Sequence, residues 1–292
     1  MTSARPGTLY IVATPIGNLE DISLRALRVL REATVVAAED TRRTRKLLAH
    51  HRIPARLLSL REHNELARTP VLVRRLLDGD SIALVSDAGT PGLSDPGATL
   101  VRAAADAGVP VVPVPGASAV LAALVASGLP AEPFTFLGFL PARGADRRRA
   151  LASARDLPHT LVLFEAPHRV RETLDDLLET FGDRRITVAR ELTKLHEEVY
   201  RATLSEAVGH FSAHPPRGEF TLVIEGAQQG EGAAGDAATL DAAREMARET
   251  LVRASAEGCS SQESVRRAVE ASGLRRNEVY RLWLAIKQEA HE

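Results

Sequence analysis

Apolar and polar positions in the first part of the chain follow two alternating periods. Short apolar runs typical of buried strands cover residues 8–13, 34–38, 56–60, 81–85 and 111–114. Between them, residues 23–32, 41–50, 65–77 and 98–108 have the spacing of amphipathic helices. Strands and helices that alternate at this interval predict a mostly parallel sheet covered on both faces. We therefore expect an α/β domain over residues 1–116.

A different pattern follows over residues 117–227. Strands are predicted at 134–140, 160–164, 186–190, 198–202 and 219–225, and helices at 118–127, 143–155 and 170–181. Since 186–190 and 198–202 lie too close together for a helical crossover, the sheet of this second α/β domain should be mixed.

After residue 227 the sequence pattern changes again, to a Gly/Ala-rich segment followed by helices. Residues 228–239 are rich in Gly and Ala and lack a hydrophobic period, which predicts a linker. Helical patterns follow at 240–256, 262–272 and 276–288. The last two are joined at Gly273 and have the spacing of a helix-turn-helix, although any short helical hairpin can share it. We expect a helical extension over residues 240–292.

Composition narrows the class of protein. The 292 residues are 45% hydrophobic with a formal net charge of −1, which excludes a strongly basic nucleic-acid coat protein but not a local basic face. No apolar run has transmembrane length and no signal peptide is visible, so we expect no membrane association and a cytoplasmic location. Cys259 is the single cysteine and the histidines lack ligand spacing, so no metal site is expected.

Two glycine-rich turns follow consecutive predicted strands. Residues 86–97 read SDAGTPGLSDPG, and residues 115–119 read PGASA. Because parallel strands place their carboxyl ends at one sheet edge, both turns should meet where α/β proteins bind ligands. Glycine lets a ligand approach the main chain closely. Simple turn formation would explain one such loop, whereas two with small polar residues favour a binding site.

Charged residues gather at three other strand ends. Glu39 and Asp40 precede a run of bases that begins with Arg42, Glu165 precedes His168, and a charged loop follows Arg190. These groups suit acid–base chemistry and phosphate contacts. The alternatives are a capped helix with a solvated basic face and loops that are merely soluble. The first loop lacks both the GxGxxG fingerprint and a P-loop lysine, which disfavours NAD chemistry and nucleotide hydrolysis.

Several motifs together resemble a known family. They are ATPIGNL at 13–19, EDTR at 39–42, SDAGTP at 86–91, PGAS at 115–118, FEAPHR at 164–169 and GEF at 218–220. The chain resembles the tetrapyrrole-methylase family of S-adenosylmethionine-dependent enzymes, and within it the group that methylates small-subunit ribosomal RNA. The resemblance implies two α/β domains with S-adenosyl-L-methionine in the cleft between them. The implied cofactor-binding residues are Pro15, Asp87, Ala88, Gly89, Thr90, Ser118, Ala119 and Ala166.

The resemblance also implies an activity and a partner. The activity is 2′-O-methylation of a cytidine ribose in the decoding region of 16S rRNA, carried out by a homodimer with an RNA-binding helical extension. Candidate catalytic residues are Glu39, Asp40 and Glu165, among which the general base stays open. Candidate RNA contacts are Arg42, Arg190, Lys194, Arg275 and Arg276.

One departure from the family pattern bears on the substrate. Methylases of small tetrapyrroles carry an Asp where this chain has Asn18, which argues against a porphyrin or corrin substrate. Two alternatives remain: a methyltransferase of a small tetrapyrrole, and a ribosome-assembly or cofactor-binding protein without turnover.

Overall fold

The structure is a computed structural model that describes residues 6–227, 236–257, 259–274, 279–280, 282–284 and 286, without the side chains of 236–242 and 256. The chain divides into two compact units, residues 1–227 and residues 228–292. Among the described residues, no helix is long and apolar enough to cross a lipid bilayer.

The first sheet is parallel throughout, as the alternating pattern predicts. Its order is β3-β2-β4-β1-β5, from β1 (Leu9–Val12), β2 (Val35–Ala38), β3 (Leu57–Ser59), β4 (Ile82–Val85) and β5 (Val111–Val114). Helices α1 (Leu24–Glu32), α2 (Thr41–His50), α3 (Glu62–Leu77) and α4 (Ala98–Asp106) join the strands. Apolar clusters pack on both faces of the sheet and bury its central strands β2 and β4.

Local capping sets where several of these helices begin. Ser23 starts α1 by accepting a hydrogen bond from the amide of Ala26, and Asp40 starts α2 by accepting one from the amide of Arg42. Helix α3 begins three residues before its predicted start, because Asn64 Oδ1 accepts a hydrogen bond from the amide of Arg61.

The second sheet is mixed, as predicted. Its order is β6-β7-β10-β8-β9, and only β6 and β7 run parallel. Its strands are β6 (Phe134–Phe139), β7 (Thr160–Glu165), β8 (Arg185–Arg190), β9 (Glu198–Thr203) and β10 (Phe220–Ile224). Helix α5 (Ala119–Ser127) packs on one face of this sheet. Helices α6 (Gly144–Ala154), α7 (Val170–Phe181) and α8 (Leu204–Ala213) cover the other.

Helix α8 has no counterpart among the predicted elements. A capping box formed by Thr203 and Glu206 starts it, and Leu204, Ala207 and Phe211 are its buried positions. The Thr-x-x-Glu pattern was the available sequence signal. The helix completes the layer that closes the second sheet.

The described part of the second unit is helical. Helix α9 spans Asp236–Ala256 and α10 spans Ser261–Ser272, so α9 begins four residues before its predicted start and takes in the end of the predicted linker. Gly273 ends α10 with a φ of +70°, a conformation that glycine adopts without strain. Val265, Ala268 and Val279 are buried in the small core of this unit.

Candidate active site

A cavity of about 400 Å³ opens where the carboxyl end of the first sheet faces the second sheet. Its floor comes from the loops after β4 and β5, and its opposite wall comes from β6, β7 and β10. Seven of the eight predicted cofactor-binding residues line it: Asp87, Ala88, Gly89, Thr90, Ser118, Ala119 and Ala166. The two glycine-rich turns therefore do meet at one site.

Hydrogen bonds hold the β4–α4 loop so that its main chain faces this cavity. Gly89 exchanges backbone hydrogen bonds with Thr14, with N···O distances of 2.8 and 3.0 Å. Its φ of +73° is favourable for glycine and strained for most other residues. The adjacent residues Ala88 and Thr90 have small side chains, which leaves the backbone open to a ligand.

Three carboxylates lie together at the cavity, on Glu39, Asp87 and Asp95. The amide of Asp87 donates to Glu39 Oε2 at 3.3 Å, and Asp87 Oδ1 accepts from the amide of Asp40 at 2.9 Å. Arg43 lies 3.4 Å from Asp87 Oδ2. Its positive charge balances only part of the cluster. Among the described residues, no group of three or more potential ligand side chains is arranged to hold a metal ion.

The environment raises two of these pKa values. Burial is the main cause for Glu39, and the negative charges of Asp87 and Asp40 add to it, against a hydrogen bond from Asp87 and the charge of Arg43. Burial also raises the pKa of Asp95 to about 6, with further increases from Glu39 and Asp87. Asp95 was not among the predicted site residues, although the second Asp in the glycine-rich turn was a visible signal.

The other two predicted catalytic carboxylates already have close partners. Asp40 caps α2 and forms a bidentate pair with Arg42, whose hydrogen bonds hold the pKa of Asp40 well below its usual range. Neither residue lines the cavity. The side chain of Glu165 is fully buried. It accepts from the amide of Ala166 at 2.8 Å and from the hydroxyl of Thr173 at 2.6 Å, and it lies 3.2 Å from Arg169.

An adjoining cavity of about 380 Å³ contains Pro15 and Lys194. Lys194 Nζ lies 2.7 Å from Glu191 and 2.9 Å from Glu219. A Cβ on Gly17 would lie only 2.5 Å from the Lys194 side chain, so a side chain there would clash with the loop after β8. The amide of Asn18 donates to the Thr193 hydroxyl at 3.0 Å, which ties the first loop to the loop after β8.

The remaining predicted RNA contacts lie elsewhere. Arg190 pairs with Glu198 at 3.0 Å, donates to the carbonyl of Arg217 and lines neither cavity. Arg275 and Arg276 lie outside the described residues.

The sequence that builds both domains matches a family model. Residues 8–208 match the model described as Tetrapyrrole (Corrin/Porphyrin) Methylases. The chain therefore belongs to the tetrapyrrole methylase family. Solved structures agree on the fold: uroporphyrin-III-C-methyltransferase from Thermus thermophilus aligns with a TM-score of 0.54 at 25% identity, over 75% of this chain and 94% of that one. A cobalt precorrin-4 methyltransferase aligns at 0.56 and 19% identity, over 75% and 94%.

Similar sequences place the chain more narrowly within that family. A Synechocystis protein named ribosomal RNA small subunit methyltransferase I is 43% identical over 97% of this chain and 99% of its own length. A Bacillus subtilis protein of the same name is 42% identical over 94% and 93%. This degree and extent of similarity put the chain in the ribosomal RNA small subunit methyltransferase I group.

Proposed function

We propose that this protein transfers a methyl group from S-adenosyl-L-methionine to the ribose 2′-hydroxyl of a cytidine in the decoding region of 16S rRNA. The observation that carries the proposal is the acid-lined cavity, in which both glycine-rich turns expose main chain to one space. The similarity to proteins named for small-subunit ribosomal RNA directs the proposal towards RNA. Ribosomes are cytoplasmic, and we propose the same location for the enzyme.

The cavity fits the chemistry of the proposed cofactor. S-adenosyl-L-methionine carries a sulfonium and an ammonium group, which the carboxylates of Asp87 and Glu39 would stabilise. Phe139, Phe164 and other apolar residues form the wall opposite, where an adenine ring would pack. A volume of about 400 Å³ lies within the range of small-molecule sites.

Catalysis would depend on alignment and on removal of one proton. When bound, the cofactor supplies an already activated methyl group, so the loops mainly have to hold it in line with the hydroxyl oxygen. Such positioning supplies roughly 7–11 kcal/mol of a barrier. A ribose hydroxyl is a weak nucleophile near neutral pH, and a nearby carboxylate would accept its proton. Of the three candidates Glu39, Asp40 and Glu165, Glu39 belongs to the carboxylate cluster, whereas the other two would hold Arg42 and the Ala166 turn in place.

RNA would enter past the adjoining cavity. Lys194 lies there beside the first loop, so its ammonium group would contact phosphate, and exposed Arg42 and half-buried Arg190 would extend the contact. In the helical extension, Arg266 and Arg267 both pair with Glu263, at 2.7 and 3.1 Å. For the RNA contact of the extension we keep Arg275 and Arg276, which lie outside the described residues.

A second copy of the chain would cover α5. Leu121 and Val125 on this helix are 53% and 74% exposed, although their neighbours on the opposite face are buried. Two adjacent apolar side chains on one face favour contact with another protein surface. We propose a homodimer that uses this face.

The function can be tested with methyl-labelled S-adenosyl-L-methionine. The protein is incubated with assembled small subunits, with naked 16S rRNA or with a uroporphyrinogen, and the products are mapped by mass spectrometry. We expect label as one 2′-O-methylcytidine in 16S rRNA. The control pair is Asp87→Arg, which should abolish transfer and cofactor binding, and Asp106→Arg, an exposed site at the end of α4 that should leave both unchanged.

Other results would overturn the proposal in distinct ways. Transfer to the tetrapyrrole alone would identify a small-molecule methylase. Cofactor binding measured by calorimetry, without transfer to any of the three substrates, would identify a protein that binds without turnover. Label on a base rather than on a ribose would refute the 2′-O assignment.

A further inference from the structure

Among the residues that the structure describes, Asp95 lacks the backbone-amide hydrogen bonds and the cation that the other acids at the cavity have. Glu39 accepts a hydrogen bond from a backbone amide, and Asp87 has both an amide and Arg43. In the part of the chain that the structure describes, none of the ion pairs involves Asp95. A hydrogen bond with Ser86 lowers its pKa, against the larger effects of burial and of the Glu39 charge. Asp95 is thus a half-buried carboxylate with two acids nearby and no cation of its own.

The backbone around Asp95 is held in an uncommon conformation. Ser94 has a φ of +66°, which is rare for a residue other than glycine. Gly97 has a φ of +129°, and a Cβ there would lie 2.7 Å from a methyl group of Leu84. Strained backbone of this kind persists where the surrounding structure enforces it, often at functional sites. Here the residue that follows Ser94 is Asp95, which lines the cavity.

A fixed anchor holds the end of this loop. Glu65 of α3 is buried, and its Oε1 accepts from the amides of Gly97, Thr99 and Leu100 at 3.0, 2.8 and 3.4 Å. Ser94 approaches β6 on the far side, where a Cβ on Gly138 would lie 3.4 Å from its hydroxyl. Asp95 therefore lies just before an anchored helix start, at the border of the two domains.

We propose that Asp95 is the catalytic residue that accepts the proton of the attacking hydroxyl group. This inference rests on the proposed function and deepens it, because that proposal leaves the acceptor open among the cavity carboxylates. Asp95 is the better acceptor than Glu39 or Asp87, since each of those already receives a hydrogen bond from a backbone amide. A general base works best with a pKa close to the working pH, and the environment of Asp95 moves its pKa in that direction.

Methyl transfer and proton transfer accompany each other in this step. The ribose O2′ forms a bond to the methyl carbon while the bond between that carbon and sulfur breaks, and the electron pair of the broken bond stays on sulfur. The hydroxyl proton passes to a carboxylate oxygen of Asp95, and Asp95 later releases it to water. Neutral thioether and methylated ribose result, with no change in oxidation beyond the methyl transfer itself.

The first test compares Asp95→Asn with the wild type in single-turnover methylation of the RNA substrate from pH 5 to 8. The groups that share its surroundings are Glu39 from the end of β2, Arg43 of α2, Ser86 and Asp87 after β4, and Glu165 and Glu219 from the second domain. The wild-type rate should rise with pH and level off above about 6, because only the ionised carboxylate accepts a proton. The Asn variant should lose this inflection and react roughly 10²- to 10⁴-fold more slowly.

The second test needs no substrate. A carboxyl group whose pKa is raised from 3.8 to about 6 in the folded state binds its proton more tightly there than in the unfolded chain. Its contribution to stability therefore falls as pH rises between these values. The melting temperature of Asp95→Asn relative to the wild type should increase from pH 4 to pH 7. Asp106→Asn removes an exposed acid at the end of α4. Its melting temperature relative to the wild type should not change with pH, and its methylation rate should equal that of the wild type.

Several outcomes would overturn the assignment. The first is a methylation rate of Asp95→Asn within threefold of the wild-type rate. The second is a pH–rate profile of Asp95→Asn that keeps the inflection near pH 6. A loss of rate matched by an equal loss of affinity for S-adenosylhomocysteine would make Asp95 a cofactor ligand instead. If the wild type does not methylate RNA at all, the proposed function fails first, while the melting experiment still reports on the Asp95 environment.

Discussion

Arg147 and Asp176 form an ion pair that is almost completely buried between α6 and α7. Arg147 Nε donates to Asp176 at 2.5 Å, and Arg148 approaches the other carboxylate oxygen at 3.4 Å. In the sequence, Arg147 is one of five arginines between residues 143 and 155, and no local feature distinguishes it from the exposed ones. Because its guanidinium is buried against acids, it serves the packing of the second domain.

Substitution of Arg147 tests this structural role. Arg147→Met should lower the free energy of unfolding by about 3 kcal/mol, because Asp176 would stay buried with only Arg148 nearby. Arg149→Met is the matched control, since Arg149 is exposed, and should change stability by less than about 0.5 kcal/mol. Urea denaturation followed by circular dichroism measures both. Equal stability of the two variants would contradict the assignment.

At the scale of elements, α3 caps α4 from a distance. The N-cap position of α4 is Gly97, which has no side chain to bond the free amides of the first turn. The Glu65 carboxylate of α3 bonds three of these amides instead. A negative charge at this end also interacts favourably with the helix dipole. One side chain thus joins two helices and fixes the loop that carries Asp95.

Glu65→Ala should therefore be costly although Glu65 is not at the cavity. We expect a loss of about 1–3 kcal/mol in the free energy of unfolding, because buried amides of α4 would lose their acceptor. Glu62→Ala removes an exposed acid from the first turn of the same helix and should have a much smaller effect. Denaturant unfolding of the two variants provides the comparison, and a similar small loss for both would show that the cap contributes little.

At the scale of the whole molecule, the outer side of α5 is apolar but exposed to solvent in a single copy of the chain. Its inner side packs Val120, Ala123 and Leu124 on the second sheet, while Leu121 and Val125 point away from that core. A helix that is apolar on all sides is usually buried. A partner on its outer side would resolve the mismatch.

Sedimentation velocity tests the proposed dimer. The wild type should sediment as a dimer, and the double variant Leu121→Glu/Val125→Glu as a monomer, because two carboxylates would have to lose their hydration in the contact. Leu66→Glu changes an equally exposed leucine on α3 and should leave the dimer intact. A monomeric wild type, or a double variant that still dimerises, would exclude this face.

Local patterns were sufficient for most of the fold. Helix α2 occupies 41–50 as predicted, because Asp40 supplies its cap from the adjacent position. The paired strands β8 and β9 follow from their short separation, which permits only an antiparallel connection. Helix α8 was missed because it is only ten residues long and begins directly after β9, without a loop signal between them.

The sequence by itself determined the order of the elements, the two glycine-rich turns and the family, because each of these depends on neighbouring residues. Only the tertiary structure decided which groups surround each carboxylate. Glu165 and Asp40 have the same charge in the sequence as Asp95, but folding surrounds the first two with hydrogen-bond donors and leaves the third beside other acids. Ionisation depends on burial and on charges brought close by distant parts of the chain, and no local pattern records those distances.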